Sequence, residues 1–319
     1  MNTAQELHVV LGARGGVGQA VVHRLTEQGK WVRSVGRRKA AVPAGVEMVV
    51  ADLLQRDQAS AACQGASVIY HCAGVPYNLW AKALPTMMEN IIAGASTAGA
   101  RLVYADNCYM YAPTSQPMTE DLPSAPVTRK GRVRKQLAET LMAAHTQGRV
   151  RAAIGRATDF YSPGVVTSAM GERFFTALLG GKRVEWLGDL DQPHAMTVVD
   201  DFARLLITLG SCEEALGQVW HVPTAEPLTG RQYIALAAES ASVMARPTVL
   251  SALLVRLVGL FNPLLREVGE MLYEFNAPYL IDGSKYQRAF GSTPTPHGEG
   301  MRQTVAWYRG HVSTPAHVT

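Results

Sequence analysis

The seven residues Gly12-Ala13-Arg14-Gly15-Gly16-Val17-Gly18 constrain this chain more than any other feature. They stand between an apolar run, Leu7 to Leu11, and a segment, Val17 to Leu25, whose apolar positions recur at helical spacing until Gly29 stops it. A strand that turns through glycines directly into a helix exposes bare backbone and aims the first N–H groups of the helix away from the chain. Its strand, apolar on both faces, needs neighbours on either side.

Those neighbours follow in order. Trp31 to Val35 reads as a second strand, Val46 to Val50 as a third, Gln55 to Cys63 as a helix, and Ala66 to Cys72 as a strand ending at Ala73-Gly74. A long helix from Pro85 to Ala98, a strand from Arg101 to Ala105, a helix from Arg132 to Thr146 and a strand from Arg151 to Arg156 complete the series. This alternation predicts right-handed crossovers and an α/β fold, a Rossmann-type, doubly wound parallel sheet. After Ala157 the pattern changes. Asp159-Phe160-Tyr161-Ser162-Pro163-Gly164 is turn-rich, and short strands such as Val184 to Leu187 and Gln218 to Val222 mix with helices. We expect a nucleotide-binding domain over residues 1–156 and a smaller, mostly helical substrate-binding region over 157–319, with about 190–225 returning to the first domain.

The bulk numbers exclude several other classes. With 319 residues, 47% hydrophobic and 18% charged, the composition is that of a globular protein with a sizeable core. No apolar run approaches the roughly 20 residues of a membrane span, and Leu250 to Leu260 is broken by Arg256 and Gly259, so no stable membrane insertion is expected. Met1 to His8 lacks the pattern of a secretory signal, and a cytoplasmic location is the expectation. Cys63, Cys72, Cys108 and Cys212 show no C-x-x-C spacing, which points to reduced thiols and to no metal site. A net charge of +4 is mild, and the basic run Arg129-Lys130-Gly131-Arg132-Val133-Arg134-Lys135 reads as a solvated helix face rather than a nucleic-acid patch.

A dinucleotide's pyrophosphate needs close backbone and convergent N–H groups, which Gly12, Gly15, Val17 and Gly18 offer at a strand–helix junction. The spacing is G-x-x-G-x-x-G. An acidic residue ending the second strand would select the ribose 2′-hydroxyl of NAD, but Gly36 stands there, followed by Arg37 and Arg38. Their guanidiniums suit the oxygens of a 2′-phosphate, and Arg14 closes the same pocket from the loop, so the expected cofactor is NADP(H). Asp52-Leu53 would lie near the adenine, although Asp52 serves equally as a helix cap.

With these residues placed, the chain resembles the extended short-chain dehydrogenases/reductases, the group of NAD-dependent epimerases, dehydratases and dihydroflavonol-type reductases. The matching elements are Gly12 to Gly18, Asp52-Leu53, His71 to Gly74, Asn90, Val103-Tyr104, Met110-Tyr111-Ala112, Arg156 to Gly164, and Val198 to Ala203. The resemblance implies cofactor contacts at Asp52, Leu53, Ala73 and Gly74, a homodimer formed by the helices Pro85 to Ala98 and Arg132 to Thr146, and catalysis by a serine with a Tyr-x-x-x-Lys pair. Here the serine position is Asn107, the lysine position Lys135, and the tyrosine position Gly131. Glycine donates no proton, so the active site is atypical.

Three arrangements would repair this. In the first, strand periodicity puts Asn107 and Tyr109 on one face, with Asn107 holding a substrate carbonyl and Tyr109 supplying the proton. Lys130 or Lys135 could act directly, Lys135 being also a ribose contact by resemblance. Otherwise the protein binds NADP(H) without turning it over. Tyr77, Trp80, Tyr161, Met170 and Phe174 would form an apolar wall suited to a hydrophobic carbonyl or alcohol, while His194 is more often structural. The expected function is therefore an NADP(H)-dependent oxidoreductase on a small-molecule substrate, with an epimerase or dehydratase and a non-catalytic regulator as alternatives. Thr248 to Asn276 reads as a pair of covering helices.

Overall fold

The computed structural model describes residues 6–250, 267 and 269–311. They form two compact units. The first comprises the chain up to Ala112, Glu120–Ala157 and Asp200–Val222; the second comprises Pro113–Thr119, Thr158–Val199 and the chain from Pro223 onward.

The first unit is built on a seven-stranded sheet. Its strands are β1 (Leu7–Leu11), β2 (Trp31–Gly36), β3 (Glu47–Val50), β4 (Val68–His71), β5 (Arg101–Asn107), β6 (Arg151–Ala157) and β11 (Val219–His221), in the order β11-β6-β5-β4-β1-β2-β3. Every neighbouring pair is parallel. Both faces of such a sheet must be covered, and all five residues of β1 and all four of β4 are buried. The strand order reverses direction between β1 and β4, which opens the loops after these two strands to a ligand.

Helices α1 (Gly16–Glu27), α2 (Arg56–Cys63), α3 (Trp80–Ala98), α4 (Arg129–Thr146) and α6 (Val199–Ser211) accompany the sheet. Two of them begin earlier than the residue pattern indicates. Helix α3 starts at Trp80, and Pro85 lies inside it; the proline forfeits one backbone hydrogen bond, but burial of Trp80, Ala83, Leu84, Met87 and Met88 holds the helix through it. Helix α4 starts at Arg129 because the Thr128 hydroxyl accepts from the Gly131 N–H at 2.9 Å, a side-chain cap. The early start corrects the reading of residues 129–135 as a solvated face. Arg129 and Arg132 are exposed, whereas Lys130 is 2% exposed and the Arg134 side chain 15%. All four cysteines are free thiols, Cys63 and Cys108 fully buried.

The second unit pairs β7 (Asp159–Tyr161) with β10 (Met196–Val198), β8 (Arg183–Leu187) with β13 (Arg246–Leu250), and β9 (Pro193–His194) with β12 (Leu228–Thr229). Helices α5 (Glu172–Leu179), α7 (Gly230–Ala241), α8 (Ser284–Phe290) and α9 (His297–His311) pack with them. Tyr161, Met170 and Phe174 belong to the buried core of this unit, together with Phe175, Trp186 and Tyr233. Their expected place in a substrate wall is corrected accordingly, since hydrophobic burial already accounts for them. The His194 ring faces acceptors at both nitrogens, Asp159 Oδ2 at 3.0 Å and the Glu274 carbonyl at 3.2 Å, and these contacts fix it within the core of this unit. Most of the helix pair read over Thr248 to Asn276 lies outside the described residues; Leu272–Phe275 forms a single 3-10 turn.

Two histidines in the sheet give it an acid limit. Burial, then Lys30, pushes His8 down from 6.5 to about 4, against a smaller opposing effect of Glu6. Burial, then Arg134, pushes His71 to about 3. In the unfolded chain both protonate near their ordinary value, so below about pH 6.5 the unfolded state binds more protons and stability falls as the pH drops through 4 towards 3. His71 stacks on Tyr104 with ring centres 5.0 Å apart, and its Nδ1 has no hydrogen-bond partner. His71→Phe keeps the ring and removes the titration. Denaturant midpoints measured from about pH 6.5 down to about 4 should therefore fall less steeply in His71→Phe than in the natural protein; identical slopes would refute this.

Candidate functional site

The loop after β1 owes its course to contacts that admit no side chain. Gly12 has φ +79°, a conformation that favours glycine, and a β-carbon on it would overlap Ala73 Cα and lie 2.7 Å from the Cys72 carbonyl carbon. A β-carbon on Gly18 would overlap the Gly12 carbonyl oxygen and lie 2.8 Å from Ala13 Cα. These two glycines are therefore required by the fold. Gly15 is not: its φ is −75°, it is exposed, and its nearest obstacle is the Gly12 oxygen at 3.6 Å. The space beside Gly15 fits close approach of a ligand's phosphates. It lies at the start of α1, whose first turn carries no acidic residue and no side-chain cap.

At the end of β2 the aliphatic stem of Arg14 crosses Gly36, within 3.6 Å of where a β-carbon would stand. Arg14, Arg37 and Arg38 are exposed, and none has an acidic partner among the described residues. Asp52 Oδ1 accepts from the Leu54 N–H at 3.1 Å in the turn ahead of α2, whose N-cap is Gln55 without a side-chain cap, so the helix-cap reading of Asp52 is corrected. Asn90 Nδ2 donates to the carbonyls of Leu53 at 3.0 Å and Leu54 at 3.1 Å, which ties α3 to this loop. Ala73 abuts Gly12, and Gly74 is exposed beside it.

At the other end of the crevice, β5 stops at Asn107, and residues 108–110 form a turn. The strand alternation expected for Asn107 and Tyr109 is thus corrected: they meet through the turn, Asn107 Oδ1 accepting from the Tyr109 N–H at 3.2 Å. The turn brings the Tyr109 carbonyl onto helix α4. A β-carbon at Gly131 would overlap that oxygen and lie 2.8 Å from Pro126 Cβ, so no tyrosine fits there with this backbone. Lys135, one helical turn on, donates to the Ser124 carbonyl at 3.1 Å and lies 3.8 Å from Glu139.

Tyr109 is 8% exposed, and its hydroxyl lies 3.2 Å from that of Tyr77. Trp80 stacks on Tyr109 and meets Tyr77 edge-on, at ring-centre distances of 6.2 and 4.9 Å. Two cations on successive turns of α4 cover these rings, Lys130 Nζ 5.1 Å from the centre of Tyr77 and the Arg134 guanidinium 4.3 Å from that of Trp80.

Residue spacing gave no sign of a charged network beneath this cluster. Asp106, its side chain fully buried, accepts from Arg156 Nε at 3.2 Å and from Arg134 at 3.4 Å. Arg134 also donates to the Tyr104 hydroxyl, and Arg156 donates to the Tyr111 hydroxyl at 2.6 Å, which lies 2.8 Å from His221 Nε2. Burial raises the Asp106 carboxyl above its ordinary value, and the two arginines oppose that rise. The available signal was the parallel register that sets Asp106 beside Arg156.

A parallel sheet with its strand order reversing at a glycine-lined loop defines a dinucleotide-binding α/β protein. Comparison with known proteins narrows the class. The model of the NAD dependent epimerase/dehydratase family matches residues 8–220, and the chain belongs to this family. A curated relative, dTDP-6-deoxy-L-talose 4-dehydrogenase (NAD(P)(+)) of Kitasatospora kifunensis, is 25% identical over 263 residues, 76% of this chain and 81% of the relative. Among solved structures, UDP-glucuronic acid 4-epimerase from Bacillus cereus in complex with UDP-glucuronic acid and NAD superposes with TM-score 0.78 at 17% identity, covering 96% of this chain and 99% of that one. The dTDP-glucose 4,6-dehydratase DesIV from Streptomyces venezuelae does so with TM-score 0.78 at 18% identity, covering 96% and 98%. Likeness at this identity concerns the fold.

Gly131→Ala should lower stability by about 1–3 kcal/mol, the usual range for forcing extra atoms into a packed site. Gly131→Tyr, with a far larger side chain at the same point, should be worse still. A thermal melt of Gly131→Ala that matches the natural protein would overturn the steric account.

Proposed function

We propose that this protein is an NADP(H)-dependent oxidoreductase acting on an apolar carbonyl or alcohol, with Tyr109 as its proton donor. Membership of a nicotinamide-dependent family supports the cofactor class. The observation that carries the choice of NADP(H) is the Arg14 stem lying over Gly36, beside Arg37 and Arg38, where a carboxylate would select NAD. In this reading Gly12, Gly15, Val17 and Gly18 hold the pyrophosphate, Asp52 and Leu53 border the adenine, Ala73 and Gly74 border the nicotinamide half, and Lys135 contacts the ribose. The bound cofactor supplies or accepts hydride.

The chain's own groups do the rest. Asn107 uses its Oδ1 to hold the Tyr109 N–H and keeps its Nδ2 as a donor towards a substrate oxygen. Tyr109 presents a phenol beside the Trp80 ring and the Tyr77 hydroxyl, while its backbone carbonyl rests on Gly131. The half-buried Tyr77 ring leaves aromatic surface that favours an apolar substrate.

Two measurements test this. Equilibrium binding should show NADPH preferred over NADH, and Arg37→Ala with Arg38→Ala should weaken NADPH about tenfold or more while leaving NADH nearly unchanged, since charge-assisted hydrogen bonds are worth about 1.5–3 kcal/mol. Equal affinities in the natural protein would refute the NADP(H) assignment. In a screen of carbonyl substrates, Tyr109→Phe should reduce kcat about 100-fold or more with cofactor affinity retained. Full turnover in that variant would remove Tyr109 as the donor.

A further inference from the structure

A buried phenol that gives its proton to a substrate becomes an anion, and it takes the proton back unless the charge is passed on. Tyr109 is 8% exposed, so bulk water does not easily serve it. Its hydroxyl is, however, 3.2 Å from the hydroxyl of Tyr77, which is only half-buried. Tyr77 carries the Lys130 ammonium on its ring face, 5.1 Å from the centre. An ammonium over an aromatic face is attracted to the ring quadrupole, and the attraction grows when the ring becomes a phenolate.

From this arrangement we propose that Tyr77 and Lys130 form a proton-return relay for Tyr109, Tyr77 passing the proton and Lys130 acting as a positioning residue. The inference rests on the reading of Tyr109 as proton donor. During reduction the Tyr109 O–H bond breaks as the O–H bond of the product alcohol forms. The Tyr77 O–H bond then breaks and that of Tyr109 is restored. Water delivers one proton to Tyr77, and Lys130 keeps its own protons throughout. The sum is one hydride from the reduced nicotinamide cofactor and one proton from solvent per carbonyl reduced.

The placement also explains why the cation is Lys130 and not Lys135. Gly131 brings the Tyr109 carbonyl against the first turn of α4, so the residue just before it faces the aromatic pair, while Lys135 lies a turn further on and donates to the Ser124 carbonyl. Besides Lys130, Arg134 of α4 acts on Tyr109, and Arg134 in turn engages Tyr104 and Asp106 of β5 and acts on His71 at the end of β4. They form the network under Trp80 and are unchanged in the variants below.

The test uses the full chain without cofactor or substrate, and follows the ultraviolet absorbance of ionised phenol as the pH is raised. Among the 11 tyrosines, one should ionise early; Tyr77→Phe should delete that step, Lys130→Met should move it to higher pH, and Lys130→Arg should restore it. With an active substrate, Tyr77→Phe and Lys130→Met should each lower kcat about tenfold with KM little changed, and Lys130→Arg should recover most of the loss. Circular dichroism confirms that each variant is folded, and Tyr77→Phe, at a half-buried position, provides the readout if Lys130→Met does not fold. An early phenol that survives Tyr77→Phe, or that does not move in folded Lys130→Met, overturns the relay. Failure of the natural protein to oxidise NADPH with any carbonyl would instead overturn the oxidoreductase reading, and the titration would still decide whether Lys130 and Tyr77 are coupled.

Discussion

The close passage of Gly12 past Ala73 joins the loops after β1 and β4, the two strands at which the sheet reverses its order. A methyl group there would separate the loops, and the same is true where Gly18 lies against the Gly12 carbonyl. Because these contacts are backbone against backbone, α1 begins directly over the strand ends, and its first amides face the crevice. The third glycine, Gly15, is demanded by neither packing nor φ. It is exposed, and its surroundings leave the backbone open to close approach from outside the chain.

A second close approach shapes the other half of the crevice. At Gly131 the absence of a side chain lets the turn after β5 press its Tyr109 carbonyl onto helix α4. The turn that carries Tyr109 is thereby held against the first turn of α4. The early start of α4 then buries Lys130 and Arg134, four residues apart, against Tyr77 and Trp80. Beneath them Asp106 answers two guanidiniums with one carboxylate, so the cluster keeps an excess of positive charge close to the tyrosine pair.

The fold of the epimerase/dehydratase family and the chemistry at its strand ends rest on different residues, for a physical reason. The family's fold depends on the sheet order and on Gly12 and Gly18, all of which are intact. Proton chemistry depends on a few side chains at strand and helix ends, where a change of one residue alters the reach of a turn without disturbing the sheet.

Local periodicity was enough to read β1, α1 and the strands of the parallel sheet, because a buried strand and an amphipathic helix each write their burial into consecutive residues. The glycine loop and the arginines at Gly36 were legible for the same reason: they sit at a junction whose geometry is set by its immediate neighbours. The start of α4 was not, since it turns on a single Thr128 cap and on the contact between Gly131 and Tyr109, 22 residues apart. Nor were the places of Tyr161, Met170 and Phe174, which have the same composition in a core as in a ligand wall. By itself the sequence determined the α/β sheet and the glycine loop between β1 and α1. Only the tertiary structure decided that Tyr109 meets Tyr77 and Trp80, with Lys130, Arg134 and the Asp106 network beside them, because those contacts join residues from separate strands, turns and helices whose pairing no local spacing encodes.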